Sequence, residues 1–385
     1  VKRMKTLGLI MIIGIALVFF FLVRSAPPPT YLPTISHYPA GTLEGQLEGE
    51  LLQVINEMGI PGLQLTIILE DVEYNLALGT MDYQREHAIT SEHILRMGSV
   101  SKVYTAVLVM KLVEAGHLGL DDSIDQWFPK IPHANQITIR QLLNHTSGIS
   151  NYTENIWFQL ETVSSSKRFF TTDDLLNYLV EGKPDFSPGE EYRYSNSNYL
   201  LLGLIAEKST GIPYPQLLHQ LLLQPLHLQH TVLLPYDETP RELISGYDRD
   251  LLPLGPHTIK PYNTAWASAA YSAGGIASTS AEMAQFMHGV FHKHAVIGKK
   301  SIEEMMQFQP FLEEDIPEQT GYGLGLRELM IDGHRLIGHT GTIPGFGAAT
   351  FYEPETGTTI AFLGNISFLD QIGLLQTVLE TLKHS

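Results

Sequence analysis

The chain has 385 residues, 44% apolar and 17% charged, enough hydrophobic material for one large core or two smaller ones. A formal charge of −17 leaves no basic face to neutralise phosphates, which argues against a nucleic-acid partner. With no cysteine in the chain, disulfides, thiolate catalysis and Cys-ligated zinc are excluded.

Lys2, Arg3 and Lys5 precede an unbroken apolar run from Leu7 to Val23, closed by Arg24. A run of this length sits at the lower limit for crossing a bilayer and exceeds the usual apolar part of a removed signal. The basic flank predicts a cytoplasmic N-terminus and an exported remainder. Residues 1–24 therefore read as a membrane anchor, uncleaved in preference to the alternative of a removed signal segment. The rest is expected to be extracytoplasmic, in a periplasm or at the cell surface. Residues 25–42 carry Pro27, Pro28, Pro29, Pro33 and Pro39 and read as a stiff spacer.

Residues 43–385 are expected to fold as one large domain. Helical spacing over 43–58 is followed by two strands, 63–69 and 74–80, around an acidic turn with Glu70, Asp71 and Glu73. Residues 99–116 predict a helix apolar nearly all round, ended by Gly116 and buried at the centre of a fold. Between 120 and 265 lie helical segments and loops with little strand alternation. The Thr279-Ser280-Ala281-Glu282 capping box predicts a helix over 280–291. Short strands follow at 323–329, 334–338, 348–352 and 358–363, then an amphipathic helix over 369–382. Strands at both ends with helices between predict an α+β fold: an antiparallel sheet built from N- and C-terminal segments, with a mostly helical lobe inserted.

Three segments carry residues suited to acyl transfer. Ser99 and Lys102 are three apart at the start of the buried helix, so the amine shares a face with the hydroxyl. A serine needs such a base, and burial favours the neutral amine. The helix start also offers N–H groups to a developing oxyanion. Tyr194 and Asn196 supply a proton-relaying phenol and an amide. His339, Thr340, Gly341 and Thr342 end one apparent strand and begin a turn. A second Ser-x-x-Lys, Ser164 to Lys167, lies in a polar stretch without a buried helix and reads as an ordinary loop. Ala270 to Gly274 falls one residue short of a nucleophile elbow and also reads as a loop. His292-Lys293-His294 reads as a surface loop without a third ligand, so no metal is expected. His145 reads as structural, beside the Ser147-Gly148 turn.

Taken in order, Ser99/Lys102, Tyr194/Asn196 and His339/Thr340/Gly341 resemble the signature of the penicillin-recognising serine enzymes, which include class C β-lactamases, serine D-alanyl-D-alanine carboxypeptidases and related esterases. The segments Leu142–Gly148, Tyr194–Tyr199, Ser272–Gly275 and Tyr322–Leu326 look like this family too. The resemblance implies a β-lactamase/transpeptidase-like fold and an acyl-enzyme on Ser99. It implies proton transfer by Lys102 and Tyr194, an Asn196 contact to the substrate amide, and His339 and Thr340 facing a substrate carboxylate. The oxyanion would meet the N–H groups of Ser99 and Thr342, and Arg327 is a candidate second cation for the carboxylate. No cofactor is implied. The expected substrate is a cell-wall D-alanyl peptide or small acyl compound. An esterase, a β-lactamase or a non-catalytic β-lactam-binding module are the alternatives. Histidine in place of lysine at 339 turns the expectation away from a dedicated β-lactamase, since a histidine is mostly neutral at neutral pH.

Overall fold

A computed structural model describes residues 38–39, 41–82, 86–248, 257–260, 263–310, 316–367 and 369–384. Among these residues no helix is long and apolar enough to cross a membrane; the 7–23 run lies outside them, as does most of the proline-rich spacer.

The first helix, α1 (Leu43–Met58), starts where the Thr42 hydroxyl accepts the Gly45 N–H and stops at Gly59 in the left-handed conformation. Leu47, Leu51 and Ile55, four residues apart, make its buried stripe. The last helix, α6 (Gln371–His384), buries Leu374, Leu375, Val378 and Leu379 in the same cluster. Each of these fully covered side chains contributes roughly 1.5–3 kcal/mol through removal from water.

Both helices cover one face of a seven-stranded sheet. Its strands are β1 (Gly62–Leu69), β2 (Val72–Gly79), β3 (Gln319–Tyr322), β4 (Arg327–Ile331), β5 (His334–Ile343), β6 (Phe346–Tyr352) and β7 (Thr359–Gly364). The spatial order is β2-β1-β7-β6-β5-β4-β3, antiparallel throughout, so the N-terminal hairpin pairs with the last strand. The sheet shared between the two ends of the domain is thus the one the sequence predicts. Along β1, Leu63, Leu65 and Ile67 face α1 and α6. Gln64 and Thr66 turn the other way and are equally buried. The Gln64 amide donates to the Thr90 and His93 carbonyls and accepts the Ser280 N–H, which satisfies it without water.

The second face carries the helices that position the site. In α2 (Ser101–Glu114) every residue from Ser101 to Met110 is buried, the pattern of a helix surrounded by protein. It packs with α3 (Asn196–Thr210) and α4 (Thr264–Gly274), its Tyr104 stacks on Phe286 of α5 (Ser280–Met287), and Gly116 past its end is left-handed as expected.

Three local expectations need correction. Of the predicted strand 323–329, only 327–329 is strand, the start of β4; residues 323–326 are the turn that joins β3 to β4, closed where the Gly323 N–H donates to the Leu326 carbonyl. The predicted strand 334–338 runs on to Ile343, because β6 continues to pair with it as far as Phe346. Ala270 to Gly274, read as a loop, belongs to α4, whose backbone departs from helical angles at Tyr271 (φ 38°, ψ −128°).

Candidate active site

Ser99 sits half-buried in a single 3-10 turn, Gly98–Val100, that leads into α2. Gly98 has φ +50°, and a Cβ there would lie 2.9 Å from the Thr342 carbonyl carbon and 3.0 Å from its nitrogen. From the other side, a Cβ on Gly341 would lie 2.1 Å from the Met97 carbonyl oxygen. Two glycines thus let the end of β5 lie directly against the serine turn. Beyond Gly338, β5 has no partner in β4, so its edge from His339 to Ile343 is turned to this turn instead of a strand.

Lys102 rises from the first turn of α2 and is fully buried. Its Nζ lies 3.0 Å from Ser99 Oγ, 2.8 Å from Asn196 Oδ1 and 2.8 Å from the Ala273 carbonyl oxygen. Burial pushes the lysine well below its ordinary pKa, and the positive charge of Arg327 pushes it further down. The carbonyl and the amide oxygen are obligate acceptors, so a neutral amine spends both its N–H bonds on them. Its lone pair then faces the Ser99 hydroxyl. The three contacts leave the neutral lysine in one orientation, that of a base for Ser99.

Tyr194 and Asn196 flank the N-terminus of α3. Lys102 Nζ is 4.8 Å from the centre of the Tyr194 ring. Asn196 takes the lysine on its oxygen while its Nδ2 donates to Thr153 Oγ1 at 3.1 Å. His145 holds this segment. Its carbonyl accepts the Arg193 N–H, and its Nδ1 accepts the Ser195 N–H at 3.2 Å and the Asn198 amide at 3.0 Å. The residues on both sides of Tyr194 are therefore hydrogen-bonded to one histidine, whose ring lies 4.4 Å from the tyrosine ring. Since Nδ1 accepts, the proton is on Nε2. Burial, with the positive charge of Arg327 nearby, keeps the ring neutral by lowering its pKa far below the usual value.

His339 is fully buried, with Nε2 3.0 Å from the Tyr322 hydroxyl and Nδ1 against the Thr340 carbonyl. Burial raises Tyr322 well above its ordinary pKa, so the phenol keeps its proton and donates it to Nε2, and Nδ1–H donates to the carbonyl. Burial, and then the positive charge of Arg327, lower the pKa of the imidazole far below normal. Both its nitrogens are thus occupied and the ring is uncharged. Arg327 opens β4 opposite Gly338 and is only 6% exposed, unlike a surface arginine. Its guanidinium donates to Gln319 Oε1 and lies 5.5 Å from the Tyr194 ring centre and 5.9 Å from that of Tyr322.

A cavity of about 270 Å³ opens over Ser99, with Asn196, Thr153, Gly274 and Thr342 on its polar side. Tyr152, Phe158, Trp266, Ala269, Ile343 and Pro344 make an apolar wall. Its size fits a small acyl group. Of the predicted residues, Ser99, Asn196 and Thr342 line this cavity, while Lys102, Tyr194, His339 and Arg327 form a connected cluster behind it. Thr340 is 8% exposed beside His339. Sequence reasoning missed His145 as a clamp, together with Thr153 and Tyr322. The signal for His145 and Tyr322 lay in the flanking stretches Leu142–Gly148 and Tyr322–Leu326; Thr153 had none. Ser164 and Lys167 are both exposed, and the Ser164 hydroxyl donates to the Glu161 carbonyl. His292, read as part of a loop lacking a third ligand, instead ends the helical run after α5 and stacks on His288 at 4.5 Å, beside Asp71.

The Beta-lactamase family model matches residues 45–381. The chain belongs to that family. Its fold is the fold of that family. It is 26% identical to Penicillin-binding protein 4* of Bacillus subtilis over 305 residues, 77% of this chain and 66% of that protein. Penicillin-binding protein 4 of Amycolatopsis lactamdurans is 33% identical over 188 residues, 46% of each. The chain therefore spans less than two thirds of these curated relatives. Among solved structures, D-amino acid amidase from Ochrobactrum anthropi SV3, complexed with D-phenylalanine, superposes with a TM-score of 0.80 at 25% identity, covering 89% of this chain and 99% of that one.

Proposed function

We propose that this hydrolase cleaves amide bonds of D-configured peptides through an acyl-enzyme on Ser99, as a D-alanyl-D-alanine carboxypeptidase or endopeptidase of the penicillin-binding type. The observation that carries the chemistry is the fully buried Lys102, held by two acceptors with Nζ 3.0 Å from Ser99 Oγ. Ser99 Oγ attacks the substrate carbonyl carbon as its proton passes to Lys102. The oxyanion is met by the N–H groups of Ser99 and Thr342, a pairing supported by the close approach of β5 to Gly98. The C–N bond then breaks, and the leaving nitrogen takes a proton delivered through Tyr194. Water attacks the Ser99 ester carbonyl carbon and gives its proton to the same Tyr194–Lys102 pair; the C–Oγ bond then breaks, Ser99 Oγ takes that proton back, and the free acid leaves.

Asn196 orients Lys102 and meets the substrate amide. His339, neutral and engaged at both nitrogens, holds Thr340 in place, and the positive field for a substrate carboxylate comes from Arg327. The resemblance to D-amino acid amidase supports an amide donor with D configuration. An esterase is the second reading, favoured by the apolar wall at Phe158 and Trp266, which suits an apolar acyl group. Residues 7–23, with Lys2, Arg3 and Lys5 before them, support an anchored protein acting outside the cytoplasmic membrane.

The test is labelling of the purified 25–385 fragment with a fluorescent penicillin, alongside assays of D-alanine release, D-amino acid amide cleavage and p-nitrophenyl ester hydrolysis. A slowly decaying adduct with D-alanine or amide release is expected. Rapid decay would make the protein a β-lactamase, and ester turnover without labelling an esterase. Absence of labelling and of every turnover would overturn the acyl-enzyme.

A further inference from the structure

At the opposite end of the sheet from Ser99, three side chains far apart in sequence converge. The β1–β2 hairpin turns on two residues, Glu70 and Asp71, both at positive φ (46° and 65°). Two consecutive residues of this kind make the tight turn that matches strand twist, so Asp71 is presented at a defined place. Beneath it, the helical run that begins with α5 continues through 288–292 and carries His288 and His292 four residues apart, hence on one face. Each of the three residues offers one ligand atom, and these atoms all lie within 4.8 Å of one another. His288 Nε2 is 2.9 Å from Asp71 Oδ1.

The histidines are also backed by the strands. His288 Nδ1 lies 3.3 Å from the Thr359 hydroxyl and His292 Nδ1 3.3 Å from the Tyr352 hydroxyl. Metal-bound histidines are commonly fixed this way, with the far ring nitrogen tied to an oxygen so that ring and tautomer are set beforehand. Two imidazoles four apart on a helix plus one carboxylate are a donor set suited to zinc, with water in the fourth position. His288 is buried while Asp71 and His292 are exposed, so the site has a covered floor and an open side.

We propose that Asp71, His288 and His292 bind a zinc-class divalent cation that staples the β1–β2 hairpin to the helix beneath the sheet. Lys293 is the competitor, since its ammonium pairs with the same Asp71 oxygen that His288 reaches. An incoming cation must displace that ammonium, which gives the proposal a sign. Replacing Lys293 by alanine tightens metal binding. The site is structural, not catalytic. In strand register Ile68, Thr359, Tyr352 and Ile337 form one row across the sheet and Leu63, Gly364, Gly347 and Thr342 another. The five-residue step between the rows is about 16 Å at the usual strand rise.

The experiment uses the chelator-stripped full chain, titrated with Zn²⁺ by calorimetry and with Co²⁺ by visible absorption, with melting temperature followed in parallel. One equivalent of Zn²⁺, a Co²⁺ d–d band and a raised Tm are expected, with turnover unchanged. His292→Ala, at an exposed position, and Asp71→Asn should each weaken binding at least tenfold and cancel the Tm rise. Lys293→Ala should tighten it several-fold. Absence of binding overturns the proposal, as does binding that survives both His292→Ala and Asp71→Asn, or an affinity untouched by Lys293→Ala.

Discussion

Ser99-Val100-Ser101-Lys102 and Ser164-Ser165-Ser166-Lys167 share one four-residue pattern and nothing else. Ser99 precedes a helix, so three residues later the lysine lies on the same face, one turn along. Ser164 ends a helix (Ile156–Ser164), and Ser165 is extended, so the same spacing carries Lys167 out into water. The first serine lies at the positive end of a helix, the second at the carbonyl end. Around Lys102 every direction is filled by protein; Lys167 is exposed. A base is made by what removes water from it. The pattern only names where to look.

The largest expected effect is at Ser99. Ser99→Ala should lower kcat/KM by about 10⁵–10⁶-fold and abolish penicillin labelling, as loss of a catalytic nucleophile does elsewhere. Labelling that persists in this variant would place the acyl-enzyme on another serine.

Lys102→Met keeps the volume and removes the base, with an expected loss of about 10²–10⁴-fold in kcat. It also changes two pH profiles. In the parent enzyme activity should rise with pH as Lys102 loses its proton, with a midpoint well below 10.5 because burial disfavours the charged form. For stability, the folded pKa is depressed, so between it and 10.5 the unfolded chain binds more protons. Stability should therefore climb with pH across that window and be lost as pH falls through the folded pKa. In Lys102→Met this slope should vanish, as read by urea midpoints at several pH values. An unchanged slope would mean that Lys102 keeps its charge when folded.

The fold was legible where periodicity and caps agree. The helix from Leu43, the buried helix after Ser99 and the split of the sheet between chain ends all follow from patterns within single segments. Legibility failed where a long-range partner decides. The extension of β5 through Thr342 depends on β6 and on the serine turn, and Tyr271 bends α4 with no breaker in its sequence. In the site, motif spacing named Ser99, Lys102, Tyr194 and Asn196. It could not show that His339 is neutral, because that follows from Tyr322 and Arg327 around it. Nor could it join Asp71 to His288 across 217 residues.

His145 tests whether the cluster behind the cavity positions Tyr194. His145→Ala leaves the Ser195 N–H and the Asn198 amide without their buried acceptor, at roughly 1–3 kcal/mol each. A lower Tm and a fall in kcat of about 10–100-fold, with KM little changed, are expected from a displaced proton relay. A lowered Tm with full kcat would show that the clamp serves the fold and that Tyr194 needs no such support.

The smallest expected effect closes the comparison. Ser164→Ala removes a hydroxyl that donates to the Glu161 carbonyl at a helix end, and Lys167→Ala an exposed amine. Surface changes of this kind shift stability by no more than about 0.5 kcal/mol. Activity and labelling should equal those of the parent within error, singly and combined. The double variant is the stricter control, because it erases the second Ser-x-x-Lys altogether while leaving the α2 site intact. A tenfold loss in it would mean that an exposed serine–lysine pair contributes to turnover, and burial would then no longer separate the two patterns.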